Sequence, residues 1–437
     1  MDAVLLSRIQ FGFAAGFHFI FPPLTLGLTL IIFILETLYF RKNSEIHKEI
    51  STFLIRILAL IFTLGVASGI VLEFSFGTNW AEYSRMVGDI FGAPLAAEAV
   101  FSFFLESTFL AILLFGRSRV SKKAYLTAAF LVFFASHLSG LWIIIANSWM
   151  QTPAGYAIEN GRAVLTDFFA AAFNPSTGVR YLHTVVAAWV TGALFAAGIS
   201  AWFLLKKRSE NIFRPLLKIC VVIFIITAAL QFVSGHLHVL QVGETQPAKM
   251  AAFEALWKTG NGVPMSLFGI PSETTETTKL EVSVPKLLSI LMHFDSNAEV
   301  KGLNEFSKEV WPPIVPTYLT YHLMVIIGII FGIMALIALI LLARKKLFTA
   351  NWFLKVLLIA APLPLIANTL GWVAAEIGRQ PWAVYGLLKT ADAASKAVPA
   401  WQALISLILF VIVYSLLFAV FLTIFFKIVK RGPESKI

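Results

Sequence analysis

The side chains able to do chemistry in this sequence are few, and they sit in apolar surroundings. His18, Glu36, Glu73, Glu98, Glu106, His137, His183, His236, His238, His322 and Glu376 fall within or at the ends of long apolar runs. An ionisable group at the centre of a membrane helix costs about 3 kcal/mol or more unless it is paired or ligated, so each is a functional candidate. Two chemistries suit these types. Imidazole, carboxylate or thioether held on rigid helices can serve as axial ligands to haem iron, and Met324, two residues after His322, adds a thioether. The same acids and imidazoles, placed in series, can instead relay protons in a transporter or channel. A single membrane histidine is as readily a hydrogen-bonded packing residue, and a lone methionine usually only packs. No one residue decides.

The elements that must position them are membrane helices. Hydrophobic residues make up 58% of the chain and charged residues 13%, a balance that a water-solvated domain of 437 residues does not need. Nine apolar runs are each long enough to cross about 30 Å of hydrocarbon as a helix, near residues 14–39, 53–76, 93–115, 125–146, 183–205, 213–238, 318–343, 352–375 and 401–426. The expected fold is an all-α integral membrane protein with about nine spans, read as one domain over 1–437. Most of the 34 basic residues crowd the turns after spans 1, 3, 5 and 7 and the tail after span 9, from Arg41 and Lys42 to Lys430, Arg431 and Lys436. By the positive-inside rule those turns and the C-terminus are cytoplasmic, and the N-terminus is outside. The other connections, 77–92, 147–182, 239–317 and 376–400, are longer and richer in Pro, Gly and Trp, so function is expected there. On this topology His18, His183, His322, Met324 and Glu376 share the outer depth.

What is missing narrows the cofactor. The single cysteine, Cys220, lies in an apolar run, so neither an iron–sulfur cluster nor a cysteine-ligated copper pair can be built. No CxxCH motif, P-loop or internal repeat is present, and the apolar start is read as a retained first helix rather than a removed signal. Eight histidines, with His47 and His293 in connections, make a copper-centred oxidase strained. The net charge of +10 sets topology and gives no reason to expect nucleic acid.

Several strings, taken together, resemble subunit I of the cytochrome bd quinol oxidases: SRIQFGF with His18, PPLTLG, FGTNWAEYSRMVGDIFGAPLAAEAVFSFFLEST, WIIIANSWMQTP, QPAKMAAFEALW and AAEIGRQPW. They stand in the family's order from residue 7 to about residue 382. The resemblance implies that His183 and Met324 are the axial pair of a low-spin haem b. It makes His18 and Glu376 axial ligands of two high-spin haems, a second haem b and haem d, or haem b in place of haem d, with Glu98 a further candidate ligand. Arg379, Trp372 and Trp382 would neutralise propionates or stack on porphyrin. Lys249 and Glu254, in the 239–317 connection, match the family's quinol-oxidising pair, in a short form of that loop. The bland reading of that pair is an exposed helix at i, i+5 spacing.

The activity so implied is oxidation of membrane quinol at the outer face and reduction of O2 to water, with protons drawn from the cytoplasm and no pumping element. Glu98 and Glu106, eight residues apart, would lie about 12 Å along a straight helix and about 80° around it, and with Ser102, Ser107 and Ser139 suggest a proton path. Serines in such helices as readily bond back to their own backbone. A heterodimer with subunit II is implied, with or without a small accessory subunit, in a bacterial or archaeal cytoplasmic membrane. Two features depart from the family pattern. His322 stands where an arginine usually precedes the axial methionine, about 200° around the helix from Met324, and span 6 ends in GHLH with His236 and His238. A neutral imidazole does not replace a fixed cation.

Overall fold

The computed structural model describes residues 2–433; Lys436, counted above with the basic tail, lies outside them. The chain opens with α1 (Ala3–His18) and α2 (Phe21–Lys42), a single apolar stretch broken at Phe19 and Ile20. Pro22 and Pro23 occupy the first turn of α2, where their missing N–H groups suit a helix start and cannot continue α1. The sequence placed His18 at the start of span 1; it ends α1, because residues 3–13 are already helical.

Next come α3 (Glu45–Thr78) and α4 (Ala81–Ala97), which runs through a π-helical stretch, Glu98–Phe103, into α5 (Phe104–Phe115). The expected connection over 77–92 shrinks to Asn79 and Trp80. Its charges hid an amphipathic helix: Tyr83, Val87, Ile90, Phe91 and Pro94 are buried at helical spacing, while Glu82 and Arg85 pair on the other face. Pro94 removes a helix donor just before the π stretch, and because that stretch itself lies between Glu98 and Glu106 their straight-helix relation does not hold.

After α6 (Lys122–Gln151) a hairpin of β1 (Tyr156–Glu159) and β2 (Arg162–Leu165) and the short α7 (Phe168–Ala172) lead to α8 (Thr177–Leu205). α9 (Glu210–Thr245) is followed by the longest connection. This holds α10 (Pro247–Phe253), β3 (Gly260–Asn261), the β4 (Met265–Ser272) and β5 (Thr277–Val284) hairpin, α11 (Leu287–His293) and β6 (Glu299–Val300), which pairs with β3. α12 (Ile314–Ala343), α13 (Asn351–Ala360) and α14 (Leu363–Ile377) follow, the last two separated at Pro362. A small hairpin, β7 (Trp382–Val384) and β8 (Leu388–Lys389), the turn α15 (Thr390–Ala393) and α16 (Ala400–Arg431) complete the chain. Among the described residues nine helical segments are long and apolar enough to cross a membrane.

The bundle closes around α8, on which α2, α6, α9, α13 and α14 pack. Association of helices in lipid rests on close packing, and small residues allow it. Gly27 of α2 meets Gly192 of α8 so closely that a β-carbon on Gly27 would stand 2.6 Å from the Gly192 Cα. At the basic-turn end, Glu36 is buried and ion-paired to Arg117, hydrogen-bonded by Ser51, while Arg117 lies 4.0 Å from the centre of the Tyr125 ring. Glu36, a candidate by burial, is thereby a structural tie between helices.

Candidate functional site

The histidines divide by what their ring nitrogens meet. His18, in the last turn of α1, faces Ser68 and Gly69 of α3; His183, in the second turn of α8, faces Ser234 and Gly235 of α9. Nδ1 lies 3.0 Å from Ser68 Oγ in the first case and 3.1 Å from Ser234 Oγ in the second. Each hydroxyl already donates to its own helix, Ser68 to the Leu64 carbonyl at 2.7 Å and Ser234 to the Gln231 carbonyl at 3.2 Å. A serine oxygen whose hydrogen stays within its own helix is placed to accept Nδ1–H, the tautomer that leaves a lone pair on Nε2; at His183 the Gln231 amide nitrogen also stands 3.2 Å from Nδ1 and 3.1 Å from Nε2. A β-carbon at 69 or 235 would stand 3.1 Å or 3.3 Å from the ring's Cε1, so glycine is what lets each ring lie against its neighbour.

The other two buried histidines are spent. His137 donates Nδ1–H to the Phe133 carbonyl at 2.7 Å and accepts the Trp189 indole N–H on Nε2 at 2.9 Å. His322 meets the Tyr318 carbonyl at 3.0 Å and the Ser266 carbonyl at 2.9 Å, tying β4 to α12, and neither nitrogen is free for iron. His238 lies against His183, ring centres 5.6 Å apart, and His236 sits edge-on to Phe294.

α14 forms a wall common to several candidates. Met324 of α12 rests on it at Gly371, where a β-carbon would meet Sδ at 2.6 Å. Trp372 is next, its ring 6.3 Å from that of Phe19, the residue after His18. One turn on, Glu376 is ion-paired to Arg379 and accepts from Asn147 at 3.0 Å and Gln151 at 3.4 Å. Arg180, three residues before His183, donates to the same Asn147. Both α9 and α14 pack on α8 and α12, so the helices bearing His183 and Met324 share two walls.

Lys249 joins this group from α10. Its stem crosses Gly378, where a β-carbon would be 3.0 Å from Lys249 Cγ, and its amine donates to Gln151 at 2.9 Å and Gln246 at 3.0 Å. Burial, then the Arg180 charge, hold its pKa well below the ordinary lysine range, with Glu376 acting in the opposite sense. Glu254, the residue capping α10, faces another way. Its Oε2 accepts the Ser266 backbone N–H at 3.3 Å and lies 3.9 Å from His322 Nε2. Its Oε1 is buried without a partner among the described residues. Burial pushes the carboxyl up to about 8, against the pull of the Ser266 N–H. Lys249 and Glu254 thus occupy neighbouring but distinct polar pockets, one open to the Glu376 group and one to β4 and α12.

In the α4–α5 segment, Glu98 accepts from Ser139 of α6 at 2.7 Å. Glu106 is buried on α5 with Oε1 lacking a partner among the described residues, as does the buried Ser102 hydroxyl. Ser107 instead bonds back to the Phe104 carbonyl. The structure joins Glu98 to Ser139, and Glu73 lies within electrostatic reach of Glu98.

These surroundings fit a haem. Arg180, Arg379 and Lys249 are three buried basic groups around one partly buried carboxylate, Glu376, and Nε of both arginines lacks a partner among the described residues, as does the buried Tyr83 hydroxyl nearby. Porphyrin propionates are anions that such groups satisfy. Arg180 was missed in the sequence because it lies outside the family-like strings; its signal was a cation one turn before His183 in an apolar helix. Ser68 and Ser234 were missed because serine in a membrane helix usually bonds only to itself.

The sequence model of the family described as cytochrome bd terminal oxidase subunit I matches residues 6–433. Cytochrome bd ubiquinol oxidase subunit 1 of Bacillus subtilis (strain 168) is 38% identical over 444 residues, covering 99% of this chain and 95% of that one. Cytochrome bd-II ubiquinol oxidase subunit 1 of Escherichia coli (strain K12) is 34% identical, covering 99% and 98%. The bd oxidase structure from Geobacillus thermodenitrificans superposes with a TM-score of 0.93 at 30% identity, covering 98% of this chain and 99% of that one.

Proposed function

Because the chain belongs to the family of cytochrome bd terminal oxidase subunit I, quinol:oxygen oxidoreductases of the membrane, we propose that it is the haem-bearing subunit of such an oxidase, paired with a subunit II in a bacterial or archaeal cytoplasmic membrane. His183 and Met324 would hold a low-spin haem b. His18 and Glu376 would hold the two high-spin haems, a second haem b and haem d or haem b in its place. Arg180 and Arg379 would meet propionates, and Trp372 would stack on a porphyrin. Bound haem supplies one-electron transfer and the reduction of O2 to water.

The long-loop end of the bundle faces outside on this reading, in keeping with the basic turns at the other end. There Glu254 takes a proton from quinol on Oε1, while the Ser266 N–H holds Oε2 still. Lys249 has two of its N–H groups committed to Gln151 and Gln246, and the remaining one holds a quinol oxygen. Protons leave outside, and those needed for water are drawn from the basic-turn side by way of Glu106, Glu98 and Ser139. No pumping element is needed.

The observation that supports this reading is the contrast among histidines: Nδ1 of His18 and of His183 meets a serine hydroxyl on the neighbouring helix, with only the Gln231 amide nitrogen at His183 Nε2, whereas both ring nitrogens of His137 and of His322 are committed to backbone carbonyls or an indole N–H. The test is a dithionite-reduced minus oxidised visible spectrum, with pyridine haemochrome analysis, of the protein purified with its membrane partners. Three haems with a red-shifted chlorin band support the full assignment. Three b-type haems keep the mechanism and replace haem d. No haem overturns the oxidase.

A further inference from the structure

The same local device appears twice, on helices unrelated in sequence position. An imidazole on one helix lies against a Ser–Gly pair on the next, Nδ1 at 3.0 Å or 3.1 Å from the serine oxygen and Cε1 over the glycine. Each hydroxyl has only one hydrogen, and each gives it to a carbonyl one turn back on its own helix. For His18 the Gly65 carbonyl also faces the ring, and a carbonyl can only accept. For His183 the Gln231 amide nitrogen stands 3.2 Å from Nδ1 and 3.1 Å from Nε2. Being almost equidistant from both, it lies along neither in-plane lone-pair direction.

We propose that Ser68 and Ser234 are positioning residues that fix the tautomer and rotation of His18 and His183, so that each presents Nε2 to iron. The inference rests on the reading of those two histidines as haem ligands. The serine oxygen, by accepting Nδ1–H, makes the imidazole a more basic donor and so favours ferric over ferrous iron. The glycine sets the ring's tilt, because any larger residue would press on Cε1. His137 shows the alternative: it receives no serine–glycine pair of this kind, its Nδ1 goes to its own helix, and its Nε2 is consumed by Trp189. The two sites use the same hydroxyl geometry although one proposed ligand would serve a low-spin and the other a high-spin haem, so the device sets the imidazole and does not by itself set the spin state.

The experiment uses the complete oxidase carrying Ser234→Ala, Ser234→Thr, Gly235→Ala, Ser68→Ala or His183→Ala. Each is read by haem content, electron paramagnetic resonance and potentiometric titration of the separate haem bands. Ser234→Ala should shift the low-spin redox equilibrium toward the ferrous form by about twofold to tenfold, the worth of one hydrogen bond, and alter the low-spin resonance. Ser234→Thr, which keeps the hydroxyl, should restore both, and Gly235→Ala should change the resonance by tilting the ring. Ser68→Ala should move a high-spin band and leave the low-spin one. If His183→Ala abolishes the low-spin haem while Ser234→Ala leaves potential and resonance at wild-type values, the positioning role is overturned and the ligand stands. If His183→Ala keeps the wild-type low-spin spectrum, the ligand reading itself fails. Should Ser234→Ala not assemble, Gly235→Ala and the independent Ser68→Ala variant decide between the same two outcomes.

Discussion

Glu254 and Ser266 are joined through one carboxylate oxygen only: the Ser266 backbone N–H donates to Oε2 at 3.3 Å, and Oε1 stays buried and unpartnered among the described residues. A carboxylate so held has one fixed oxygen and one available oxygen, the arrangement a general base needs. Glu254→Gln keeps the shape and removes the base. Quinol oxidation should fall by about 10²-fold to 10⁴-fold with haem content unchanged. Steady-state oxygen uptake with a soluble quinol measures it, and wild-type rates in the variant would refute the role.

The pH dependence follows from the same carboxyl. Burial raises its pKa to about 8, so the accepting carboxylate is the minor form at neutral pH and grows as pH rises through that value. The kcat/KM for quinol should therefore climb with pH up to about 8 and level above it. Glu254→Asp should keep a rising limb at a shifted position. A limb that falls over this window would show that the protonated form is required instead.

Lys249 is buried with two hydrogen bonds to glutamine oxygens and its stem across Gly378. Lys249→Met retains most of the stem and deletes the donors. KM for quinol should rise about tenfold to a hundredfold, the range for hydrogen bonds to charged groups, with a smaller change in kcat. A variant with unchanged KM would place the quinol elsewhere.

Much of this was legible in the sequence, and the limits have physical causes. The nine apolar runs correspond to nine helical segments long and apolar enough to cross a membrane among the described residues, because length and hydropathy are local properties. Glu376 at the end of α14 followed from the Gly and Pro that stop that helix. The helical stretch Ala81–Gly92 was misread as a connection because Glu82, Arg85 and Asp89 lower its hydropathy, although its buried residues keep the helical period. The partners of His18 and His183 stand 50 and 51 residues away, on helices whose mutual rotation only packing decides. The same holds for Lys249, which the sequence set beside Glu254 and the fold turns toward Gln151 and Glu376.

Packing makes its own prediction at the α2–α8 crossing. Gly27→Ala would drive a β-carbon to within 2.6 Å of the Gly192 backbone, which has no flexible end to yield. Overpacking of this kind costs about 1 to 3 kcal/mol. Gly12→Ala, with nothing within 4 Å of the added carbon, is the control and should melt at or above the wild-type temperature. Thermal unfolding of the purified complex, followed by haem release, separates the two.

The opposite end of the bundle supplies a contrast between stability and chemistry. Arg117→Gln strips buried Glu36 of its ion pair, which should cost about 3 to 5 kcal/mol by the general behaviour of broken buried pairs, less whatever solvent reaches the partly exposed Arg117. Haem spectra of the protein that survives should be unchanged. Arg379→Gln removes the partner of Glu376 and should lower high-spin haem content. A spectral change in the first variant, or none in the second, would reverse the assignment of the two arginines.

The most direct measurement is the reduced-minus-oxidised spectrum of the oxidase carrying His18→Ala, His183→Ala, His137→Ala or His322→Ala. The assignment of the first two as haem ligands predicts that His183→Ala loses the low-spin haem band and His18→Ala a high-spin band, whereas His137→Ala and His322→Ala retain all three haems at whatever level the protein folds. Retention of every band in His18→Ala and His183→Ala, or loss of a single band in His137→Ala or His322→Ala, would contradict the account.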